Sequence, residues 1–319
     1  MMFRPEIRVV DCTIRDGGLA NDSYFTIETV RAVYEAICRA GIDYVELGYR
    51  NSKEMFSPDE YGPWRFCDED LLRKVTEGID PKQTKICLMQ DAHKAVAEDV
   101  PDKDKSVVDM YRIATYVKDV DKAIKLVNNA TDKGYQATVN IMAISVEGPP
   151  FLDEALRQIE AETKAKAVYV VDSFGALYSE EVHYLVERYQ MALKTKEVGL
   201  HFHNNQQLAF ANTIEGIIKG ANYMDGTLYG LGRAAGNCPT ELLLGFLKNP
   251  KFDIVPLLQV IGRHIIPLTL QLDWGYHIPY MLTGIRNQHP REAMEWMETS
   301  KRKYDFVAFY EKLTEAISQ

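Results

Sequence analysis

Eight short runs rich in apolar and β-branched residues alternate with amphipathic segments through the first three-quarters of the chain. That alternation limits the fold more than any single motif. The runs are IRVVDCT (7–13), YVELGY (44–49), KICLMQ (85–90), VVDMYRI (107–113), ATVNIMAIS (137–145), AVYVVDS (167–173), GLHFHN (199–204) and YMDGTL (223–228). Between the first two, TIETVRAVYEAICRAG sets Ile27, Val30, Val33, Tyr34 and Ile37 at helical spacing, with Thr26 as the N-terminal cap and Gly41 as the stop. DKAIKLVNNATDKGY, SEEVHYLVERYQMALKTK and NQQLAFANTIEGIIKGA repeat that design. Strands at intervals of roughly 25–40 residues, with helices between, are joined by crossovers rather than hairpins and so pair in parallel. Eight such units close into a (β/α)8 TIM barrel, an α/β fold. An open doubly wound sheet is the alternative, but its early glycine-rich dinucleotide fingerprint is missing. After about Pro250 the rhythm changes to helical patterns, DIVPLLQVIGRHIIPLTLQL and PREAMEWMETSKRKYDFVAFYEKLTEAI. The predicted organisation is a barrel over 1–249 and a helical C-terminal extension over 250–319 packed on it.

Composition narrows the function class. The net charge of -9 argues against a nucleic-acid or anionic-membrane role, and any bound anion needs local cations. The 5 cysteines are scattered without C-x-x-C pairing, which predicts reduced thiols rather than a disulfide framework or zinc knuckle. The opening MMFRPEIRVVDC lacks the apolar core of a secretory signal, and no apolar run approaches membrane-spanning length. A cytoplasmic protein is expected.

The chain has only 7 histidines, and VGLHFHNN spends two of them around one phenylalanine. Residues i and i+2 of a strand share a face, so His201 and His203 project together while Phe202 turns away. Two neutral imidazoles on one face begin a divalent metal site, and a pair hydrogen-bonded at a strand end is the other reading. In the barrel register they fall at the C-terminal end of the seventh strand, where barrel enzymes keep their active sites. The first strand runs into DCTIRDGG, whose Asp16 adds the anionic oxygen that two histidines lack. Strict alternation would send Arg15 and Asp16 to opposite faces, so both reach one site only if Asp16 lies past the strand end. The eighth strand leads into GLGRAAGNCP, where Gly230, Gly232 and Gly236 let backbone approach a ligand closely. There Asn237 offers a neutral oxygen ligand, and Arg233 offers the cation that an acidic protein needs to hold an anion.

DCTIRDGG, VDSFGAL, HFHNN and GLGRAAGN, in that order on strands one, six, seven and eight, resemble the metal-dependent aldolase and acyltransferase barrels. That family includes hydroxymethylglutaryl-CoA lyase and isopropylmalate synthase, and the match is closest to its 4-hydroxy-2-oxovalerate aldolase branch. The resemblance covers residues 7–245. It implies Asp16, His201 and His203 as ligands of Mn²⁺ or Mg²⁺, with Asn237 as a further ligand, and Arg15 as the cation that stabilises an enolate oxygen. Two departures matter. The aldolases carry a histidine as base where this chain has Leu19, and the lyases place a catalytic cysteine ahead of the loop asparagine whereas Cys238 follows it. The aldolases also use a tyrosine on a C-terminal Gly-Tyr segment, and WGYHIPY offers Tyr276 there with His277 beside it. Tyr276 is the expected base and His277 the second choice.

The resulting expectation is a carbon–carbon lyase that forms or cleaves a bond through the enolate of a pyruvate-like 2-oxo acid, with an aldehyde as partner substrate. Ser173, at the end of strand six, is placed to hydrogen-bond the substrate carboxylate, with Gly232 and Arg233 across the mouth. A Claisen-type acyltransferase using acyl-CoA competes for the same metal site. A two-histidine, one-carboxylate iron oxygenase has similar ligands, but those sit on β-sandwiches. Leu19 keeps open a metal-binding barrel without turnover. The sequence leaves a homo-oligomer and a dehydrogenase partner open.

Overall fold

The computed structural model describes residues 4–315. Eight parallel strands form a closed barrel: β1 (Arg8–Asp11), β2 (Tyr44–Tyr49), β3 (Lys85–Asp91), β4 (Met110–Thr115), β5 (Gln136–Ile141), β6 (Ala167–Asp172), β7 (Glu197–Phe202) and β8 (Tyr223–Gly226). β8 closes the sheet on β1 with Arg8 opposite Tyr223 and Asp11 opposite Gly226. This is the (β/α)8 barrel that the alternation predicts. Helices such as Ile27–Ala40, Val120–Asp132, Ser179–Ala192 and Ala209–Ile218 cover its outside. The first is capped as expected, Thr26 Oγ1 accepting the Thr29 N–H at 3.1 Å and Gly41 ending it at φ 74°.

Several strand boundaries differ from expectation, and three of them have a clear local reason. β1 stops at Asp11 because its carboxylate accepts the Thr13 N–H and the Thr240 hydroxyl, which starts a helical turn over Thr13–Gly17. β4 begins only at Met110, because Ser106 Oγ accepts the Val108 N–H and turns the chain first. β5 ends at Ile141, ahead of Ala143 at φ 53° and a tight turn over Ile144–Val146.

Strand alternation divides the core. Val9, Val45, Leu47, Ile86 and Leu88 face the helices in one large apolar cluster. Val10, Tyr44, Cys87, Met110, Tyr169 and Tyr223 form a second cluster that fills the barrel. Above that plug, Glu46, Arg112 and Asp225 occupy the interior and are essentially inaccessible to solvent. Three charged side chains at that depth must satisfy one another.

Beyond β8 the chain is helical over Val255–Leu270, and Leu257, Val260, Ile261 and Ile265 join the large outer cluster. Helices Ile278–Ile285, Arg291–Thr299 and Phe306–Glu315 build a separate small core, in which Tyr280, Ala293, Phe309 and Leu313 pack with Ala234 and Ala235 of the loop after β8. The extension is thereby tied to a loop of the barrel mouth. Among the described residues, no helix is long and apolar enough to cross a membrane.

Candidate metal centre and cavity

Asp16 and Arg15 reach the barrel mouth from the helical turn Thr13–Gly17 rather than from the strand. Consecutive side chains on a helix diverge by about 100°, not 180°, so both can serve one site. His201 lies within β7, and His203 follows the strand end, where its backbone bridges to Asn237. The Asn204 N–H donates to the Gly236 carbonyl at 2.9 Å, which fastens the loop after β8 to the end of β7. Gly232 makes room for this arrangement: a methyl on its α-carbon would lie 1.9 Å from Asn237 Oδ1.

The structure brings Asp16, His201 and His203 together, with one potential ligand atom from each within 4.8 Å of the others. An oxygen- or nitrogen-coordinated divalent ion sits about 2.0–2.6 Å from each ligand, so ligand atoms up to about 5 Å apart can share one ion. Asp16 Oδ1 and Asn237 Oδ1 are buried oxygens with no hydrogen-bond partner among the described residues. Oxygens left so are costly unless a cation or donor occupies the space they face. The donor set of nitrogen and oxygen fits a divalent ion.

Electrostatics suit these side chains to a cation. Burial pushes the His203 imidazole down to about 3, which leaves it neutral with a lone pair to give. Burial acts on His201 in the same direction, but hydrogen bonds to Asp16 and Asp225 outweigh it and raise its pKa. His201 Nδ1 meets Asp225 Oδ2 at 2.7 Å while Nε2 lies 3.0 Å from Asp16 Oδ2. A carboxylate behind one ring nitrogen fixes the tautomer and presents the other nitrogen to an ion. Burial works against the Asp16 carboxylate too, yet Arg15 and the two histidines hold its pKa well below the usual range.

Behind these three residues the charges close into a ring. Arg15 contacts Asp16 at 2.8 Å and Glu46 at 2.6 Å. Arg112 contacts Glu46 at 2.9 Å and Asp225 at 2.6 Å, and Asp225 returns to His201 and so to Asp16. Arg15 spends Nε on Glu46 and Nη1 on Asp16, leaving Nη2 without a protein partner among the described residues.

Arg15 also walls a cavity of ≈ 90 Å³ together with Tyr49, Asp91, Ser173, His201, His203 and Arg233. Leu19, Met89 and Met142 supply its apolar side. Ser173 Oγ accepts the Ala143 N–H at 2.9 Å, so its own proton remains free to donate. Arg233 donates to the Ser173 carbonyl at 3.2 Å and faces His289. Gly232 lies behind Asn237 rather than in the wall. Tyr276 and His277 are not brought in: Tyr276 is 55% exposed and outside the cavity wall, and His277 is engaged with Asp273 at 2.9 Å. Cys238 is buried, its thiol pushed up to about 12. The residues missed from sequence are Glu46, Arg112 and Asp225 behind the ligands, Tyr49 and Asp91 in the wall, and His289 from the extension.

The chain is similar to known proteins over most of its length. The HMGL-like family model matches residues 6–259. The 4-hydroxy-2-oxovalerate aldolase of Thermus thermophilus is 32% identical over 254 residues, covering 78% of this chain and 72% of that protein. The oxaloacetate decarboxylase of Mycobacterium tuberculosis is 29% identical over 241 residues, 76% of this chain and 70% of that protein. Among solved structures, the N-terminal domain of a protein described as an aldolase from Bacteroides vulgatus superposes with a TM-score of 0.81 at 31% identity, covering 94% of this chain and 100% of that one. The HMG-CoA lyase of Bacillus subtilis, at 15% identity and a TM-score of 0.68 over 84% of this chain and 96% of that one, shares the fold. The chain belongs to the HMGL-like family.

Proposed function

We propose that this protein is a divalent-metal-dependent carbon–carbon lyase of the aldolase type, acting on a pyruvate-like 2-oxo acid with an aldehyde as the second substrate or product. The observation that carries this reading is the convergence of Asp16, His201 and His203 within 4.8 Å, beside a cavity that the two histidines wall together with Arg15. Residues 1–249 form the catalytic barrel in this reading, and 250–319 the accessory extension. Mn²⁺ or Mg²⁺ is the ion, held by those three residues with Asn237 Oδ1 as a further ligand. When bound, it supplies Lewis-acid chelation of the 2-oxo acid, which acidifies the adjacent C–H. Arg15 aims its free Nη2 at the substrate oxygen on which charge develops. Ser173 donates its hydroxyl proton to the substrate carboxylate. The compact cavity beside these residues suits a short acid. Five free, buried cysteines support a reducing, cytoplasmic setting.

The ligand assignment has a direct test. His203→Ala should lower metal affinity by orders of magnitude while leaving the barrel folded, since a side chain beyond the strand end contributes little core. Elemental analysis of His201→Ala and His203→Ala should show substoichiometric metal, and full occupancy in both would refute the site.

The proton acceptor is assigned from the wall itself. With Leu19 inert and Tyr276 and His277 outside the cavity, Tyr49 and Asp91 are the remaining ionisable wall groups that are neither ligands nor arginines. Burial raises the Tyr49 phenol, opposed by Arg15 and Arg65, whose guanidinium stacks 4.8 Å from the Tyr49 ring centroid. General-base catalysis typically contributes about 10²–10⁴-fold. One of Tyr49→Phe and Asp91→Asn should therefore lose proton exchange by that margin with metal retained. Parent rates in both would return the role to the segment carrying Tyr276 and His277.

A further inference from the structure

Asn140 walls the catalytic cavity from β5, and the chemistry proposed above gives it no task. The residue is only 2% exposed. Its Oδ1 accepts the hydroxyl proton of Thr138, the preceding inward-facing residue of the strand, at 3.1 Å. That bond holds the amide by its oxygen and leaves Nδ2 as the end turned to the cavity. Nδ2 has no partner among the described residues. Beside Asn140 in register are Ala114 on β4 and Tyr169 on β6, and Met89, Met142 and Val171 make this part of the wall apolar. A leucine would fill the place without a donor to satisfy, so the amide is a cost to packing that a ligand oxygen offsets. The strands run in order around the closed barrel, which sets β5 directly across from β1. Arg15 and Asp16 follow β1, and His201 and His203 stand at the end of β7. A 2-oxo acid held on their side leaves the side of β3, β4 and β5 for the molecule that joins its C3. Asp91 ends β3 and Tyr49 ends the neighbouring β2, so both candidate proton carriers border that space.

We propose that Asn140 Nδ2 donates a hydrogen bond to the carbonyl oxygen of the aldehyde, which makes Asn140 a catalytic residue of the carbon–carbon step and not of enolisation. This rests on the lyase reading above, in which the 2-oxo acid is enolised beside Arg15. In the condensation direction C3 of the enolate attacks the aldehyde carbon, and the C3–C4 bond forms. The π pair of the aldehyde C=O moves onto its oxygen, which takes a proton from the acid–base group of the wall. In cleavage the C4 hydroxyl returns that proton, and the C3–C4 pair passes back into the enolate. Asn140 gives up no proton in either direction; its N–H meets negative charge as that charge grows on the oxygen. A neutral donor also suits this wall, because a cation there would draw the 2-oxo acid carboxylate to the wrong side of the cavity.

The test separates two half-reactions on Mn²⁺-loaded protein, both followed by NMR. One is C3 proton–deuterium exchange of pyruvate or 2-oxobutanoate alone, and the other is condensation of the same acid with acetaldehyde, propanal or glycolaldehyde. Asn140→Leu should exchange the acid near the parent rate, while kcat/KM for the aldehyde falls about 10²–10³-fold, the scale for deleting one preorganised donor to an oxyanion. Asn140→Asp keeps the shape but offers only acceptors when ionised, and should show the same split. Condensation by Asn140→Leu at the parent kcat/KM overturns the role and leaves the lyase reading standing. Exchange by the parent without condensation of any of these aldehydes does the same. Loss of exchange and condensation together in both variants also overturns it, because Asn140 would then serve enolisation or the barrel itself. If the parent exchanges neither acid, the lyase reading fails and the role falls with it.

Discussion

Arg112→Met is expected to lower the unfolding free energy by about 3–5 kcal/mol, the range for removing one partner of a buried ion pair. Arg112 is fully buried, and its guanidinium holds Glu46 and Asp225, which are buried as deeply. Methionine fills much of the volume but leaves two carboxylates sharing what Arg15 and His201 can offer. The intact ring is not itself a large source of stability, because desolvating six charged or polar groups offsets most of their attraction. Its consequence is positional: Glu46 fixes Arg15 through Nε, and Asp225 fixes His201 through Nδ1. Arg112→Met should therefore also loosen the metal site, with affinity reduced about 10–100-fold, as for other residues that orient ligands. Urea denaturation and metal titration of one preparation check both effects. A loss below about 1 kcal/mol with unchanged metal affinity would mean that the ring neither strains nor positions anything.

Arg15→Ala should separate binding from chemistry. Asp16, His201 and His203 remain, so metal occupancy should persist, while enolisation falls by two to three decades. That corresponds to about 3–4 kcal/mol of barrier, the usual consequence of deleting one preorganised donor to developing negative charge. Arg15→Lys should recover little, because one ammonium cannot reproduce a fork that spends two nitrogens on Glu46 and Asp16 and keeps a third for substrate. Parent exchange rates in Arg15→Ala would show that the charge is stabilised elsewhere.

Much of this site is written locally in the chain. The i, i+2 spacing of His201 and His203 and the placement of Asp16 near the end of β1 depend on strand period and barrel register, which short sequence windows carry. The strand ends were less legible. The helical turn over Thr13–Gly17 depends on the Asp11 carboxylate, whose partner Thr240 lies 229 residues away. Glu46, Arg112 and Asp225 each stand alone in an apolar strand, a signal that a buried charge needs a partner. No window says that the three meet, since Arg112 and Asp225 are 113 positions apart. His289 was hidden for the same reason: it meets Arg233 across 56 positions, through an extension whose docking no periodicity encodes. Tyr276 shows the converse, since its motif position was legible but its exposure depends on how the segment before helix Ile278–Ile285 packs.

On the proposed reading, Asp16, His201 and His203 hold a divalent ion that makes a 2-oxo acid enolisable. The most direct measurement is C3 proton–deuterium exchange of pyruvate and longer 2-oxo acids by NMR, on chelator-stripped protein before and after adding Mn²⁺ or Mg²⁺. Negligible exchange is expected in the stripped protein, exchange well above the metal-only background on reconstitution, and its loss in Asp16→Ala. Stoichiometric metal binding with no exchange of any 2-oxo acid would contradict it, as would equal exchange with and without metal.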